Sequence, residues 1–258
     1  MLRGLIFDVD GTLADTEQGG HRVAFNRAFA ELDLDWEWEE GIYDELLQVF
    51  GGKERIRHFI DRYLDGFIAP GGISEFIGDL HSRKSRHYVA LMKSGEIPLR
   101  PGVERLLIEA RAAGLKLGIA STTTPENVAA LLTANLGDHG IDWFDVIAAG
   151  DIVERKKPAP DIYEYALQCL GLPATDCLAI EDSGSGLKSA LAAGLKTIVT
   201  VNDTTRRQSF AGAAIVLEHL GDPGNAFTVL AGDAHGATHV DVPLLRFIHA
   251  TANKSTEI

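Results

Sequence analysis

The chain has 258 residues, a formal net charge of −13, and 45% apolar against 24% charged residues. This is the balance of an ordinary folded protein, and the length allows one large domain or two smaller ones. The negative charge argues against nucleic-acid binding, and no apolar run reaches the roughly 18 to 20 residues of a membrane span. The N-terminus lacks the layout of a signal peptide, and two cysteines suit a reducing compartment. We therefore expect a cytoplasmic monomer.

Short apolar runs that end in small or acidic residues recur along the chain. Each is too short for a helix and too continuously apolar for a strand with one solvent face, so buried parallel strands are predicted. The predicted strands are residues 5–7, 115–120, 146–149, 177–180, 197–201 and, more weakly, 214–217. Helical patterns lie between them at 103–113, 127–136, 161–170 and 186–193. This alternation predicts a doubly wound α/β fold around a parallel sheet.

Residues 16–95, called the helical insertion below, interrupt this alternation. Four helices and no strand are predicted there, at residues 21–32, 41–50, 54–63 and 73–92. Glycines at both crossings, Gly19-Gly20 and Gly95, give the backbone the freedom that suits a hinge. We predict a core domain of residues 1–15 and 96–230, an inserted helical domain of residues 16–95, and a C-terminal extension at 231–258 with a short helix at 242–250. A two-domain fold with a fixed interface is the alternative.

An acidic motif directly follows the first predicted strand, Asp8-Val9-Asp10-Gly11-Thr12-Leu13. Functional groups in open α/β sheets lie at the carboxyl ends of strands, and positions two apart on a strand share a face. Asp8 and Asp10 can therefore aim at one site, although two adjacent carboxylates repel each other unless a cation or a shared proton lies between them. One can then act as a nucleophile and the other as an acid and base. An ordinary Asp-Gly turn is the alternative.

Three further polar motifs lie at the ends of other predicted elements. Ser121 and Thr122 begin a hydroxyl cluster ahead of a helix, where free N–H groups suit a phosphate oxygen. Lys157 precedes a proline that stiffens the backbone, and it can offset the charge of an aspartate and a phosphoryl group. Glu181 and Asp182 end an apolar strand, and their hard oxygen atoms are ligands that Mg²⁺ prefers. Each motif alone also fits the ordinary polar residues at or before a helix N-terminus. Separate explanations of that kind are a poor account of why all the motifs occur together in this order along the chain.

With these motifs the sequence resembles the haloacid dehalogenase superfamily of phosphatases over nearly all of residues 1–225. The helical insertion resembles the C1 cap of the β-phosphoglucomutase-like branch. The resemblance implies a Rossmann-like core with an all-helical cap. Further segments resemble the CbbY group, which is implied to hydrolyse the Rubisco inhibitor xylulose-1,5-bisphosphate to xylulose 5-phosphate. Those segments include Thr16-Glu17, His21, Gly51-Gly52-Lys53-Glu54-Arg55-Ile56, Gly95-Glu96-Ile97, Arg100-Pro101-Gly102 and residues 144–151.

The resemblance also implies a role for each core motif. Asp8 is implied to attack phosphorus and form an aspartyl-phosphate, while Asp10 protonates the leaving alkoxide and then deprotonates water. Mg²⁺ is implied to bind the Asp8 carboxylate, the Asp10 carbonyl and Asp182, with support from Glu181. Phosphate ligands are implied at Ser121, Thr122 and Lys157.

The helical insertion is implied to select the substrate. A second, non-reacting phosphate would supply remote binding energy that closes the lid. The implied substrate-binding residues are the cations Lys53, Arg55 and Lys84, the glycines Gly51 and Gly52, and the residues Glu17, His21 and Tyr43 near the sugar hydroxyls. In the CbbY group the histidine follows the glutamate by three residues, whereas Gln18-Gly19-Gly20 makes the gap one longer here. Since one extra residue rotates an α-helix by about 100°, either the helix begins after the glycine pair or His21 faces elsewhere.

Other activities share parts of this pattern. A dehalogenase of the superfamily lacks the second carboxylate, and a phosphonatase uses a cap lysine as a Schiff base, for which Lys53 is a candidate; Asp10 argues against both. A non-enzymatic binding module is disfavoured because all the motif residues are present. A sugar-phosphate mutase, or a phosphatase for another small phosphorylated metabolite, stays open. We predict a Mg²⁺-dependent sugar-bisphosphate phosphatase.

Overall fold

The computed structural model of the chain describes residues 1–49 and 51–251. Within these residues, seven short strands form one sheet, and all of them except the last are buried or partly buried. The strands are β1 (Gly4–Phe7), β2 (Lys116–Ser121), β3 (Val146–Ala149), β4 (Cys177–Glu181), β5 (Lys196–Thr200), β6 (Ile215–Leu217) and β7 (Val229–Ala231). Their spatial order is β3-β2-β1-β4-β5-β6-β7, with all neighbours parallel except the antiparallel pair β6 and β7.

Nine α-helices connect or follow these strands in the described residues. They are α1 (Val23–Glu31), α2 (Glu40–Leu46), α3 (Gly52–Tyr63), α4 (Ile73–Lys93), α5 (Val103–Ala112), α6 (Pro125–Leu136), α7 (Asp161–Leu170), α8 (Gly184–Ala192) and α9 (Val242–Ala250). A π-helical turn, Glu17–Arg22, leads directly into α1. The predicted doubly wound α/β fold is thus confirmed, with the strands and helices of the core close to their predicted positions. No helix among those described is both long and apolar enough to cross a bilayer.

The sheet is covered on both faces, which explains the continuously apolar strands. In β1, Leu5 and Phe7 point into one hydrophobic cluster and Ile6 into another, as the alternation of side chains along a strand requires. The strand β7 was not predicted. Its three residues are partly exposed at the edge of the sheet, so its apolar pattern is too short to mark a strand.

The helical insertion has a hydrophobic cluster of its own, rich in aromatic side chains such as Phe25, Phe29, Trp36 and Trp38. The long helix α4 contributes its first half to this cluster, while residues near its end pack into the main core. The predicted domain boundaries stay a prediction. The last residue of the predicted helix 41–50, Phe50, and residues 252–258 of the predicted extension lie outside the described residues.

Candidate active site

The core motifs meet because β1 lies at the centre of the sheet. It pairs with β2 on one side and β4 on the other, all in the same direction. Asp8 directly follows β1, Ser121 ends β2 and Glu181 ends β4. The carboxyl ends of adjacent parallel strands therefore bring these residues to one edge of the sheet.

Lys157 joins two of these strand ends. Its Nζ donates hydrogen bonds to Asp8 Oδ1 at 2.6 Å and to Glu181 Oε1 at 2.5 Å, and all three side chains are buried. Burial disfavours the charged lysine, but the two carboxylates outweigh it and raise the pKa of Lys157. The lysine is therefore held permanently charged beside the predicted nucleophile.

Three buried carboxylates lie together here, and Lys157 contacts two of them, Asp8 and Glu181. The ligand oxygens of Asp8, Glu181 and Asp182 lie within 4.8 Å of one another. Burial, with repulsion from Glu181 and Asp8, raises the pKa of Asp182 well above its usual value. Burial also raises the pKa of Asp8 to about 7, although the Lys157 charge opposes it. A set of hard oxygen ligands with excess negative charge fits a divalent cation.

Asp10 has a different environment from Asp8. Thr16 Oγ1 donates a hydrogen bond to Asp10 Oδ1 at 2.5 Å, and His21 Nε2 lies 2.8 Å from the same oxygen. Lys84 Nζ in turn lies 2.6 Å from His21 Nδ1. Burial would raise the pKa of Asp10, but these neighbours lower it to about 2, with His21 contributing most. Their different surroundings thus raise the pKa of Asp8 and lower the pKa of Asp10, as expected for two carboxyl groups with different roles.

The helical insertion aims His21 at Asp10 through an unexpected helix type. Residues Glu17–Arg22 form a π-helical turn, which accommodates one more residue than an α-helical turn. Neither alternative from the sequence is correct, because the helix does not begin after the glycines and His21 does not face elsewhere. Gly20 packs against α4 and the segment after it, since an added Cβ would lie 3.1 Å from Tyr88 in α4 and 3.0 Å from Ile97. Gly20 therefore serves close packing, while Gly19 is exposed, and both glycines lie within a helix.

A second buried group in the insertion is built around Glu17. Tyr43 Oη donates a hydrogen bond to Glu17 Oε2 at 2.6 Å and accepts one from Arg55 Nη1 at 2.8 Å. Arg55 Nη1 also lies 3.5 Å from Glu17 Oε2. Glu17 and Arg55 line the same cavity as Asp8 and Asp10, with a volume of about 910 Å³. Tyr43 acts behind them by fixing both side chains.

A smaller cavity of about 40 Å³ lies where the insertion faces the loop after β2. It is lined from both sides by residues predicted for catalysis, substrate binding or phosphate binding. Those residues are Asp10, Glu17, His21, Gly51, Gly52, Arg55, Lys84 and Thr122. Gly52 packs closely against the insertion, since an added Cβ would lie 2.5 Å from His81 Nε2 and would have to displace that side chain. The structure thus brings most of the predicted cap residues to one place next to Asp10.

Two of the predicted site residues, Lys53 and Ser121, do not line this smaller cavity. Lys53 Nζ forms an ion pair with Asp151 Oδ2 at 2.7 Å, and about half of its side chain is exposed. This pair joins the insertion to the loop after β3. Ser121 is buried, and its Oγ accepts a hydrogen bond from the backbone N–H of Thr123 at 3.2 Å.

Three contacts of the site involve residues that the sequence analysis missed. Tyr163 Oη donates to Glu181 Oε1 at 2.7 Å, Asn202 Nδ2 donates to Asp182 Oδ2 at 2.7 Å, and Thr16 bonds to Asp10 as described. Asn202 follows β5 shortly after its carboxyl end, so the strand-end argument that identified Asp8 could have found it. Tyr163 has no such signal, because it lies at an ordinary apolar position of α7.

Comparisons with known proteins agree with this arrangement. The sequence model of haloacid dehalogenase-like hydrolases matches residues 2–194. Protein CbbY from Cupriavidus necator is 49% identical over 251 residues, which is 96% of this chain and 97% of that protein. The crystal structure of CbbY from Rhodobacter sphaeroides in complex with phosphate is 48% identical, covers 85% of this chain and 95% of its own, and has a TM-score of 0.80. A mutant of that CbbY in complex with xylulose-1,5-bisphosphate is 47% identical, with coverage of 87% and 98% and a TM-score of 0.80.

Proposed function

The chain belongs to the haloacid dehalogenase-like hydrolase family and is a phosphoric monoester hydrolase, and on that premise we propose that it is a Mg²⁺-dependent sugar-bisphosphate phosphatase. The proposed reaction converts xylulose-1,5-bisphosphate to xylulose 5-phosphate and phosphate. One observation carries this proposal. Asp8 and Asp10 line the same cavity, but Asp8 contacts Lys157 whereas Asp10 contacts His21. The substrate is supported by the similar CbbY that was solved with xylulose-1,5-bisphosphate.

Asp8 is the proposed nucleophile. One of its oxygens forms a bond to phosphorus while the bond from phosphorus to the sugar oxygen breaks. Lys157, held charged at 2.6 Å from Asp8, stabilises the negative charge of the transferring group. Ser121 and Thr122 are the proposed hydrogen-bond partners of that group at the end of β2.

Asp10 is the proposed acid and base. It donates a proton to the leaving sugar oxygen, and it later accepts a proton from the water that attacks the aspartyl-phosphate and releases phosphate. Its low pKa keeps the carboxyl ionised, which is the form that can accept a proton in the second task. A phosphoryl group bound nearby raises the pKa of the Asp10 carboxyl and so favours the protonated form that the first task needs.

The proposed metal ligands are the carboxylates of Asp8 and Asp182 and the backbone carbonyl of Asp10, with Glu181 as support. The excess negative charge of this buried cluster supports a divalent cation there. When bound, Mg²⁺ supplies positive charge that offsets the phosphoryl oxygens. Glu181 itself is oriented by Lys157 and Tyr163, so its proposed role is to hold the other groups in place.

The proposed recognition of the sugar and of the second phosphate falls to the helical insertion. Arg55 and Lys84 are buried cations that line the small cavity beside Asp10. This cavity has a volume of only about 40 Å³, and in the proposed reaction the insertion moves to admit a second phosphate beside Arg55 and Lys84. The remaining proposed substrate-binding residues are Glu17, His21, Gly51, Gly52 and Lys53, with the predicted residue Tyr43 acting through the Glu17 and Arg55 side chains that it binds.

A substrate screen with purified protein and Mg²⁺ tests the proposal. It compares xylulose-1,5-bisphosphate, ribulose-1,5-bisphosphate, fructose-1,6-bisphosphate and β-glucose 1-phosphate, with Asp8→Asn as the inactive control. We expect the highest kcat/KM for xylulose-1,5-bisphosphate and no measurable turnover by Asp8→Asn. A preference for β-glucose 1-phosphate with formation of glucose 6-phosphate would favour a mutase, and full activity of Asp8→Asn would contradict the nucleophile.

A further inference from the structure

Arg100 lies where the chain returns from the helical insertion to the core. Its backbone N–H donates a hydrogen bond to the Leu13 carbonyl at 2.8 Å, and the neighbouring Leu99 pairs with Ala14 in an antiparallel bridge. The segment that leaves the core after Asp10 and the segment that returns to it therefore run side by side. The Arg100 side chain is buried between them and the ends of β5 and β6.

The guanidinium group of Arg100 binds mainly backbone carbonyls. Each of these carbonyls lies at the carboxyl end of a strand or in the loop that follows it. Among the described residues the group also pairs with one carboxylate, that of the exposed Asp15, whose Oδ1 lies 3.3 Å from Arg100 Nε. Such a planar group with five donors can hold several acceptors in fixed directions. The carbonyl partners are Gly11 at 2.5 Å, Thr200 at 3.0 Å, Val201 at 2.5 Å and Glu218 at 2.9 Å.

Two of these carbonyls adjoin groups of the active site. Gly11 follows Asp10, and its backbone is pressed so closely against Asp182 that an added Cβ would lie 2.3 Å from Asp182 Oδ2. Val201 precedes Asn202, which donates a hydrogen bond to that same oxygen. Arg100 thus holds the backbone on both sides of Asp182 and directly beside Asp10.

We propose that Arg100 is a positioning residue of the phosphatase, which acts through the Gly11 carbonyl to hold Asp10 at the angle needed for proton transfer. This inference rests on the proposed role of Asp10. Because the Arg100 side chain also pairs with Asp15, it joins the two ends of the helical insertion to the loop that carries Asp10. A small displacement of a catalytic group is enough to cost about 100-fold in rate.

Arg105 provides a matched control in the same chain. It too binds backbone carbonyls, those of Gly221 at 2.7 Å and Val240 at 2.9 Å, and it pairs with Asp222. These partners lie in the loops after β6 and ahead of α9. Replacing Arg105 therefore removes the same kind of contact without touching the loop that carries Asp10.

The test compares Arg100→Lys and Arg100→Gln with Arg105→Lys and Arg105→Gln on two substrates. Xylulose-1,5-bisphosphate has an alkoxide leaving group that needs a proton, whereas p-nitrophenyl phosphate has a phenolate that does not. Since kcat/KM reports the steps up to the first irreversible one, it isolates transfer to Asp8 from the later attack of water. Thermal unfolding of each variant separates catalytic loss from loss of folded protein.

We expect Arg100→Lys to lower kcat/KM for the bisphosphate by about 100-fold and for p-nitrophenyl phosphate by less than about tenfold. Asp10→Asn should show the same difference between the substrates, and the Arg105 variants should show none. Equal losses of Arg100→Lys on both substrates, or behaviour like Arg105→Lys, would overturn the inference while leaving the proposed function intact. If Asp10→Asn itself shows no difference between the substrates, the proposed role of Asp10 fails and this inference fails with it.

Discussion

The two sides of the site each contain a buried lysine, and their surroundings affect the two ammonium groups in opposite ways. On the core side, Lys157 lies between two carboxylates, and its pKa is raised. On the side of the helical insertion, Lys84 lies 2.6 Å from a histidine nitrogen and over the rings of Phe25 and Tyr88. Burial lowers the pKa of Lys84 to about 7, because Asp10 and other charges offset only part of the desolvation.

This difference follows from how each side is built. Parallel strand ends bring Asp8 and Glu181 into direct contact with Lys157, so its charge is compensated before any substrate binds. Helix packing leaves Lys84 without a carboxylate in direct contact among the described residues, and the nearest compensation is Asp10 beyond His21. A bound anion would raise the pKa of Lys84, so we infer that this lysine becomes fully charged only with substrate.

Removing the core lysine should have the largest effect. Lys157→Met leaves Asp8 and Glu181 buried without their cation, and we expect a loss of about 3–5 kcal/mol in the free energy of unfolding. Turnover should fall by about 100-fold or more, since a charge beside the transferring phosphoryl group is lost. Denaturant unfolding in metal-free buffer and steady-state kinetics measure the two effects.

The neighbouring Lys156 is the matched control for this prediction. It pairs with Asp151, whose side chain is more than half exposed, so Lys156→Met should cost no more than about 1 kcal/mol. Equal stability of the two variants would show that Lys157 does not compensate the buried carboxylates.

Removing the lysine of the insertion should have a smaller and opposite effect on stability. Lys84→Met removes a buried, poorly compensated charge, and we expect it to be at least as stable as the unchanged protein at pH 6.5. Turnover should fall by about tenfold, because His21 loses the partner that orients it toward Asp10.

The stability difference for Lys84→Met should depend on pH with a defined sign. The pKa of Lys84 is about 7 in the folded state and about 10.5 when unfolded, so the unfolded chain holds more protons between these values. The cost of burying the charge is complete below pH 7 and disappears as the pH rises to 10.5. The gain from the substitution should therefore shrink over that range, whereas Lys93→Met, at the exposed end of α4, should show no such trend.

The core side of the site could be predicted from the sequence, and the insertion side only in part. Asp8 and Glu181 were identifiable because the carboxyl ends of neighbouring parallel strands must converge, and Lys157 because the proline after it stiffens the backbone. The direction of His21 was not, because a π-helical turn is stabilised by the packing of Gly20 on α4 and not by a local sequence pattern. Tyr163 was missed for a similar reason, since its phenol is distinguished from a core side chain only by the buried Glu181 opposite.

The smallest expected effect concerns the register of that π-helical turn. Deleting Gly19 restores the three-residue spacing between Glu17 and His21, so the turn can become α-helical while His21 still faces Asp10. We expect kcat to change by less than about threefold, and thermal stability to stay level or rise, because π-helical geometry is less favourable. Deleting Gly19 and Gly20 together removes one residue too many and rotates His21 by about 100°. That double deletion should lose most activity, and an equally inactive single deletion would show that the π-helical turn itself, and not only the direction of His21, is required.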